Sequence, residues 1–187
     1  MLSWFLGRTV REGARAVKPR PGRPARGPPG GRYNGPVPSL AVPGLVLLGL
    51  AVFAGMEGVA WLMHRHLMHG PLWVLHESHH RPRQGRFEKN DLFGVFFSLP
   101  SIVLVYLGTH GHPWALAVGL GMTAYGAAYF GFHDVIVHRR VNVRFRPAGR
   151  YLQRIVKAHL VHHKTTTREG ALSFGFLWAP KAYDGQP

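Results

Sequence analysis

The chain has 187 residues, a formal charge of +15 and no cysteine, and 46% of it is hydrophobic with 12% aromatic. Without cysteine there is no disulfide framework, thiolate zinc finger, iron–sulfur cluster or thiolate-ligated haem, so any metal is held by nitrogen and oxygen. High apolar content and high charge are reconciled when they occupy separate stretches, which is the pattern of a one-domain, multi-span membrane protein with basic loops.

Residues 1–38 carry eight Lys or Arg against one acid, Glu12, and include the stretch PRPGRPARGPPGGRYNGPVP. That composition predicts a disordered basic tail lying near anionic lipid headgroups. The apolar run in MLSWFLG is too short for a secretory signal and is followed by Arg, while the Arg-rich, acid-poor start leaves a transit peptide as the lesser alternative.

Three apolar segments follow, from about Ser39 to Met63, Leu92 to Gly108 and Trp114 to Phe132. Each is near the roughly 20 residues needed to cross a bilayer. The first is interrupted by Pro43, Gly44, Gly49, Gly55 and Gly58 and is read either as a span or as re-entrant. A single crossing there would put the basic tail on the side opposite to the other basic segments. Only THGHP separates the second and third segments, which predicts a tight helical hairpin. Residues 64–90 and 133–170 therefore share one membrane face. That face carries five and nine Lys or Arg in its two blocks against none in the turn, so the positive-inside rule predicts that it is cytoplasmic. The expected architecture is all-α, a multi-pass membrane helical bundle over 39–180 with histidine clusters at the cytoplasmic helix ends, followed by a short tail at 181–187.

Eleven of the 13 histidines fall on that face in four clusters, HRHLMH (64–69), HESHH (76–80), HDVIVH (133–138) and HLVHH (159–163), and ten of them, all but His66, make a repeated pattern. The form is HX4H then HX2HH, repeated in the same order. Residues at i, i+3 and i+4 share one face of an α-helix, so each HX2HH is expected to project three imidazoles into one volume. Five residues of α-helix is a rotation of about 140° from alignment, so HX4H needs a helix end or a bulge. A lone His at a membrane helix end is usually interfacial or a satisfied core group, and His110 and His112 in the turn are read that way. Ten packed imidazoles are different, because their donors and acceptors are costly to satisfy at a membrane boundary without metal. Imidazole suits zinc, copper, iron and nickel, and ten ligands exceed the four of a structural zinc, which suggests two ions.

The four boxes with their flanks, HRHLMHG, HESHHRPRQGRFEKNDLF, MTAYGAAYFGFHDVIVHRR and AHLVHH, together with SFGFLWAP, resemble the β-carotene 3-hydroxylase family over about residues 52–180. These are the non-haem di-iron carotenoid hydroxylases of the fatty acid hydroxylase and sterol desaturase superfamily. The resemblance implies that His64, His69, His76, His79, His80, His133, His138, His159, His162 and His163 ligate two iron ions, with no catalytic residue separate from the metal site. It implies O2-dependent hydroxylation of the β-ionone ring at carbon 3, taking β-carotene through β-cryptoxanthin to zeaxanthin, on a substrate dissolved in membrane lipid. His66 departs from the family, whose members commonly have an aromatic residue there, and it could compete with His64 as a ligand.

Each hydroxylation consumes two electrons, and the chain has neither cluster cysteines nor a nucleotide-binding glycine fingerprint. The family arrangement is reduced ferredoxin, with NAD(P)H as ultimate source. Glu57, Asp91 and Asp134 are candidates to orient ligand imidazoles, with a helix N-cap an equal reading of Asp91. Arg81, Arg83, Arg139 and Arg140 are candidates to dock the acidic donor, alongside their topological role. No nucleic-acid motif accompanies the charge, and the sequence is compatible with a homo-oligomer. The expected location is the bacterial cell membrane, with a plastid membrane as alternative. Two other functions use similar residues. A membrane fatty acyl hydroxylase or desaturase shares the histidine boxes, but the short hairpin and the NDLF and SFGFLWAP stretches weigh against it. A bis-histidine haem or metal-binding membrane protein would not need ten histidines.

Overall fold

The computed structural model describes residues 41–184, so the expectations of a disordered tail or transit peptide at 1–38 lie outside the described residues. Helix α1 (Ala41–Leu62) carries one ionisable side chain, Glu57, and runs on without a break as a π-helical segment, Met63–Met68. Pro43 falls within its first turn, where a missing N–H has no intrahelical partner to lose. The segment is therefore one continuous 28-residue rod from Ala41 to Met68, roughly 40 Å long at the α-helical rise and long enough to span a bilayer. A short helix, α2 (Trp73–His76), follows and tightens into a 3-10 turn, Glu77–His80.

Helix α3 (Asp91–Thr109) and helix α4 (Pro113–Tyr129), the latter extended by a π-helical segment Phe130–Val137, form the expected hairpin. Gly111 takes φ 104° in the THGHP turn, a left-handed backbone that glycine reaches without strain. Among the described residues three helices are long and apolar enough to cross a membrane: Ala41–Met68, Asp91–Thr109 and Pro113–Val137. Helix α5 (Arg150–His162) and a 3-10 turn, Lys181–Tyr183, complete an all-α architecture with no strand among the described residues.

Helix α4 lies between α1 and α3 and packs on both. Small residues set these crossings, as they do where lipid supplies no hydrophobic drive for association. A Cβ on Gly119 would lie 2.8 Å from the Val105 backbone nitrogen of α3, and one on Gly121 would lie 2.5 Å from the Gly49 carbonyl oxygen of α1. Ser101 adds a buried bond across the hairpin, donating to the Gly119 carbonyl at 3.1 Å. On the outer faces Leu47, Leu50, Leu99 and Ile102 are more than half exposed, as lipid-facing residues are. Gly121→Val should therefore lower the thermal unfolding midpoint in detergent, by the about 1–3 kcal/mol typical of overpacking. Gly126→Val, where nothing lies within 4 Å of an added Cβ, is the control and should leave the midpoint nearly unchanged.

The hairpin returns the chain to the end at which α1 finished, which brings residues 64–80 and 133–163 together. Beneath them a small core of Phe132, Ile155, Ala158, Phe176 and Ala179 ties α5 and the C-terminal segment to the end of α4. Residues 181–184, assigned above to a terminal tail, fold back on α5: Tyr183 packs against this core, and Arg154 Nε donates to Asp184 Oδ1 at 2.6 Å.

Candidate metal centre

The two HX4H boxes are the two π-helical segments. In a π-helix the hydrogen bond runs from i+5 back to i, which brings residues five apart toward one face and reduces the offset that an α-helix would impose. The decisive bonds are His69 N to the His64 carbonyl at 3.0 Å and His138 N to the His133 carbonyl at 3.0 Å. Both spans thus end in the same local distortion, and each uses it to aim two imidazoles at one point.

The ten histidines converge as two groups of five, in each of which one nitrogen per ring lies within 4.8 Å of the others. The first group is His64, His69, His76, His80 and His162; the second is His79, His133, His138, His159 and His163. The expectation that each HX2HH serves one volume is corrected. Its first and last members join the HX4H pair of their own half, and its middle member crosses to the other group. Adjacent helical residues point about 100° apart, so His79 and His80 cannot share an axis, and neither can His162 and His163. The groups share a wall where His80 and His163 stack at 4.6 Å between centroids.

Nε2 atoms face one another across both groups: His64 and His76 at 3.1 Å, His69 and His162 at 3.2 Å, His79 and His133 at 2.9 Å, His138 and His159 at 3.2 Å. The Nδ1 atoms point outward. Nδ1–H of His64 donates to the Phe174 carbonyl, His69 to Arg168, His80 to Thr165 and His162 to Leu172, at 2.7–3.1 Å. His76 donates to Asn90 Oδ1 at 2.7 Å and His79 to Glu88 Oε2 at 3.0 Å. A proton held on Nδ1 leaves the Nε2 lone pair directed inward, which is the arrangement that second partners impose on metal-ligating histidines. Lone pairs facing each other at 3 Å repel unless a cation lies between them, so this donor set fits two metal ions. His133 Nδ1 and His159 Nδ1 are buried without a hydrogen-bond partner.

Burial keeps these rings neutral. It holds His76 and His138 down to about 3, His80 to about 4 and His162 to about 2, with His79, His159 and His163 well below the ordinary 6.5. The unfolded chain takes up protons near 6.5, whereas the folded rings resist until far lower pH, so folded stability falls as pH drops below that value. Protons compete with metal for the same nitrogens. Bound metal after dialysis and the unfolding midpoint should both decline together from about pH 6.5 toward pH 4 and stay flat between about pH 7 and 8.

Comparison with known proteins places this geometry. The profile for "Fatty acid hydroxylase" matches residues 49–180. The chain belongs to the fatty acid hydroxylase family. It is 49% identical to the "Beta-carotene hydroxylase" of Pantoea ananas over 135 residues, 72% of this chain and 77% of that one. Against the "Beta-carotene hydroxylase" of Paracoccus sp. (strain PC1) it is 42% identical over 135 residues, 72% and 83% of the two chains. The chloroplastic "Beta-carotene 3-hydroxylase 2" of Arabidopsis thaliana is 37% identical over 152 residues, 79% of this chain and 50% of the plant protein. No solved structure matches it.

Several sequence-based assignments change within this fatty acid hydroxylase fold. Glu57 does not orient an imidazole: Oε1 accepts the backbone N–H groups of Phe176, Leu177 and Trp178, and Oε2 accepts the Tyr125 hydroxyl. Asp91 touches no histidine either. It accepts the Glu88 N–H at 3.0 Å at the start of α3 and Arg140 Nη1 at 2.6 Å. Arg140 is no docking residue, since its side chain is only 15% exposed and turns inward to Asp91, Glu88 and Asp134. Arg81, Arg83 and Arg139 are exposed, Arg81 in an i,i+4 pair with Glu77. Asp134 Oδ1 lies 3.4 Å from His133 Nδ1. His66 is exposed beside Trp61 and belongs to neither group. Glu88 and Asn90, which precede Asp91 in FEKND, are the side chains of that stretch that reach the histidines. The carbonyls of 165–174 have no sequence signal, because every residue has one.

Proposed function

We propose that this chain hydroxylates the β-ionone rings of carotenoids at carbon 3, converting β-carotene to zeaxanthin through β-cryptoxanthin, with two iron ions held by the two histidine groups. The observation that carries the reading is the pair of five-imidazole groups at the end of three apolar helices, in a chain similar over most of its length to proteins named for β-carotene hydroxylation.

Iron held by these histidines would supply activation of dioxygen, with one oxygen atom entering the C–H bond and the other leaving as water, drawing two electrons from an external donor and two protons. The chain's own residues hold and shield. Outward Nδ1–H bonds fix the rings, so that little reorganisation is needed when ions bind. Phe174 packs on His64, His69 and His162 with centroids 5.2–5.5 Å away, and Phe176 stacks on His64 at 5.1 Å, so that aromatic rings exclude water from one side. Beside Phe174 lies an open groove lined by Trp61, Arg65, Leu172, Phe174 and Trp178, on which a hydrocarbon ring could rest. Exposed Arg81, Arg83 and Arg139 suit an acidic donor such as ferredoxin, and the basic histidine-bearing face fits a cytoplasmic orientation.

The test is pigment analysis by liquid chromatography of a bacterial host that accumulates β-carotene and expresses the chain with a ferredoxin and its reductase. Zeaxanthin and β-cryptoxanthin are the expected products. Unchanged β-carotene with the protein present in the membrane would favour a fatty acyl substrate instead.

A further inference from the structure

We propose that the two groups are unequal metal sites, and that the group of His79, His133, His138, His159 and His163 binds its ion first and more tightly. The inference rests on the metal-binding reading above and concerns residues that act through the ligands.

The difference lies in what the outward nitrogens meet. All five Nδ1 atoms of the first group donate to neutral oxygens: the carbonyls of Phe174, Arg168, Thr165 and Leu172, and the Asn90 side-chain amide. Among the described residues no carboxylate lies within 4.0 Å of a nitrogen in that group. The cation Arg65 lies over the same Phe174 ring that packs on His64.

The second group instead meets acids. His79 Nδ1 lies 3.0 Å from Glu88 Oε2, with the two side chains 3% and 10% exposed. His133 Nδ1 faces Asp134 Oδ1 at 3.4 Å. Arg140 is the shared counter-ion, with Nη1 2.6 Å from Asp91 and 3.5 Å from Asp134, and Nη2 3.4 Å from Glu88. Three carboxylates thus share one guanidinium, which leaves a net negative field beside this group.

Two effects follow, and they act in the same direction. A carboxylate accepting Nδ1–H makes the imidazole a more basic ligand than a carbonyl does, and such partners change metal affinity about 10–100-fold. An unbalanced negative charge a few ångströms away in a largely buried region attracts a divalent cation directly. His133 Nδ1 and His159 Nδ1, both buried without an acceptor, work against the second group. They forfeit two neutral bonds, against which stand the roughly twice as strong charge-assisted His79–Glu88 bond and the unbalanced negative charge. Arg140 is accordingly a positioning residue, holding Glu88 and Asp134 against the histidines of one ion.

Co(II) titrated into the metal-depleted, detergent-solubilised full chain, followed by visible absorption, tests this without turnover. Two binding steps are expected, separated by about 10–100-fold in Kd. Glu88→Gln should weaken the tight step about 10-fold and leave the weak step unchanged, with Asp134→Asn as an independent variant should the first fold poorly. His138→Ala should abolish the tight step and His69→Ala the weak one. Equal affinities, or a tight step that survives His138→Ala and vanishes in His69→Ala, would overturn the assignment. Absence of any Co(II) binding by the unmodified chain would instead remove the metal reading itself, and the inference with it.

Discussion

Alanine at His162 should abolish hydroxylation and cost the chain about one metal equivalent, and the ion lost should be the one held by His64 and His69. Its box, HLVHH, lies in the second half of the sequence, so a reading by motif would assign the loss to the His133 and His138 ion. The structure puts His162 Nε2 3.2 Å from His69 Nε2. The double variant His69→Ala/His162→Ala should therefore retain about as much iron as either single variant, whereas His138→Ala/His162→Ala should retain almost none. Iron per chain after purification measures this directly. Turnover should fall at least about 100-fold in every case, since losing an outer partner of a ligand alone costs 10–100-fold. Equal iron in the two double variants would break the crossed assignment. His79→Ala is the mirror experiment and should behave as a second-group variant.

Glu57→Ala should be the most destabilising single change away from the histidines. It removes one oxygen that accepts N–H groups from Phe176, Leu177 and Trp178 at 2.9–3.1 Å, and another that accepts the Tyr125 hydroxyl at 2.8 Å. Phe176 is buried, and each buried donor left without a partner costs about 1–3 kcal/mol. Water can relieve the exposed Trp178 N–H, so the net loss should be on the order of 3 kcal/mol. The thermal midpoint in detergent should drop accordingly. Bound metal should drop with it, because the same turn carries the Phe174 carbonyl that fixes His64. Glu57→Gln keeps an acceptor for the three N–H groups, and its amide can donate to the Tyr125 oxygen, so it should be much milder. An equal drop for Gln and Ala would show that the charge, rather than the bonding pattern, holds this turn.

These two residues illustrate how legible the site was. His162 could be chosen from spacing alone, because ten imidazoles in a duplicated pattern have no ordinary packing explanation. Glu57 could be flagged as an acid at membrane depth, yet its partners lie 119–121 residues away, beyond any local pattern. Arg140 shows the opposite failure. In the run HRR it looks like one more basic surface residue, and only the approach of Glu88 and Asp91 from the start of α3 turns it inward.

The sequence by itself determined the hairpin of the second and third apolar rods, the placing of all four histidine boxes at one end and the ten imidazoles of the duplicated pattern. Those follow from segment length, the parity of two crossings and helical period, all properties of neighbouring residues. Tertiary structure alone decided that both HX4H boxes become π-turns, that His79 and His162 exchange partners, and that carbonyls hold one group while carboxylates hold the other. These depend on which surfaces meet when α1, α4 and α5 pack, and a helix fixes only the angle between its side chains, not the neighbour toward which each one points.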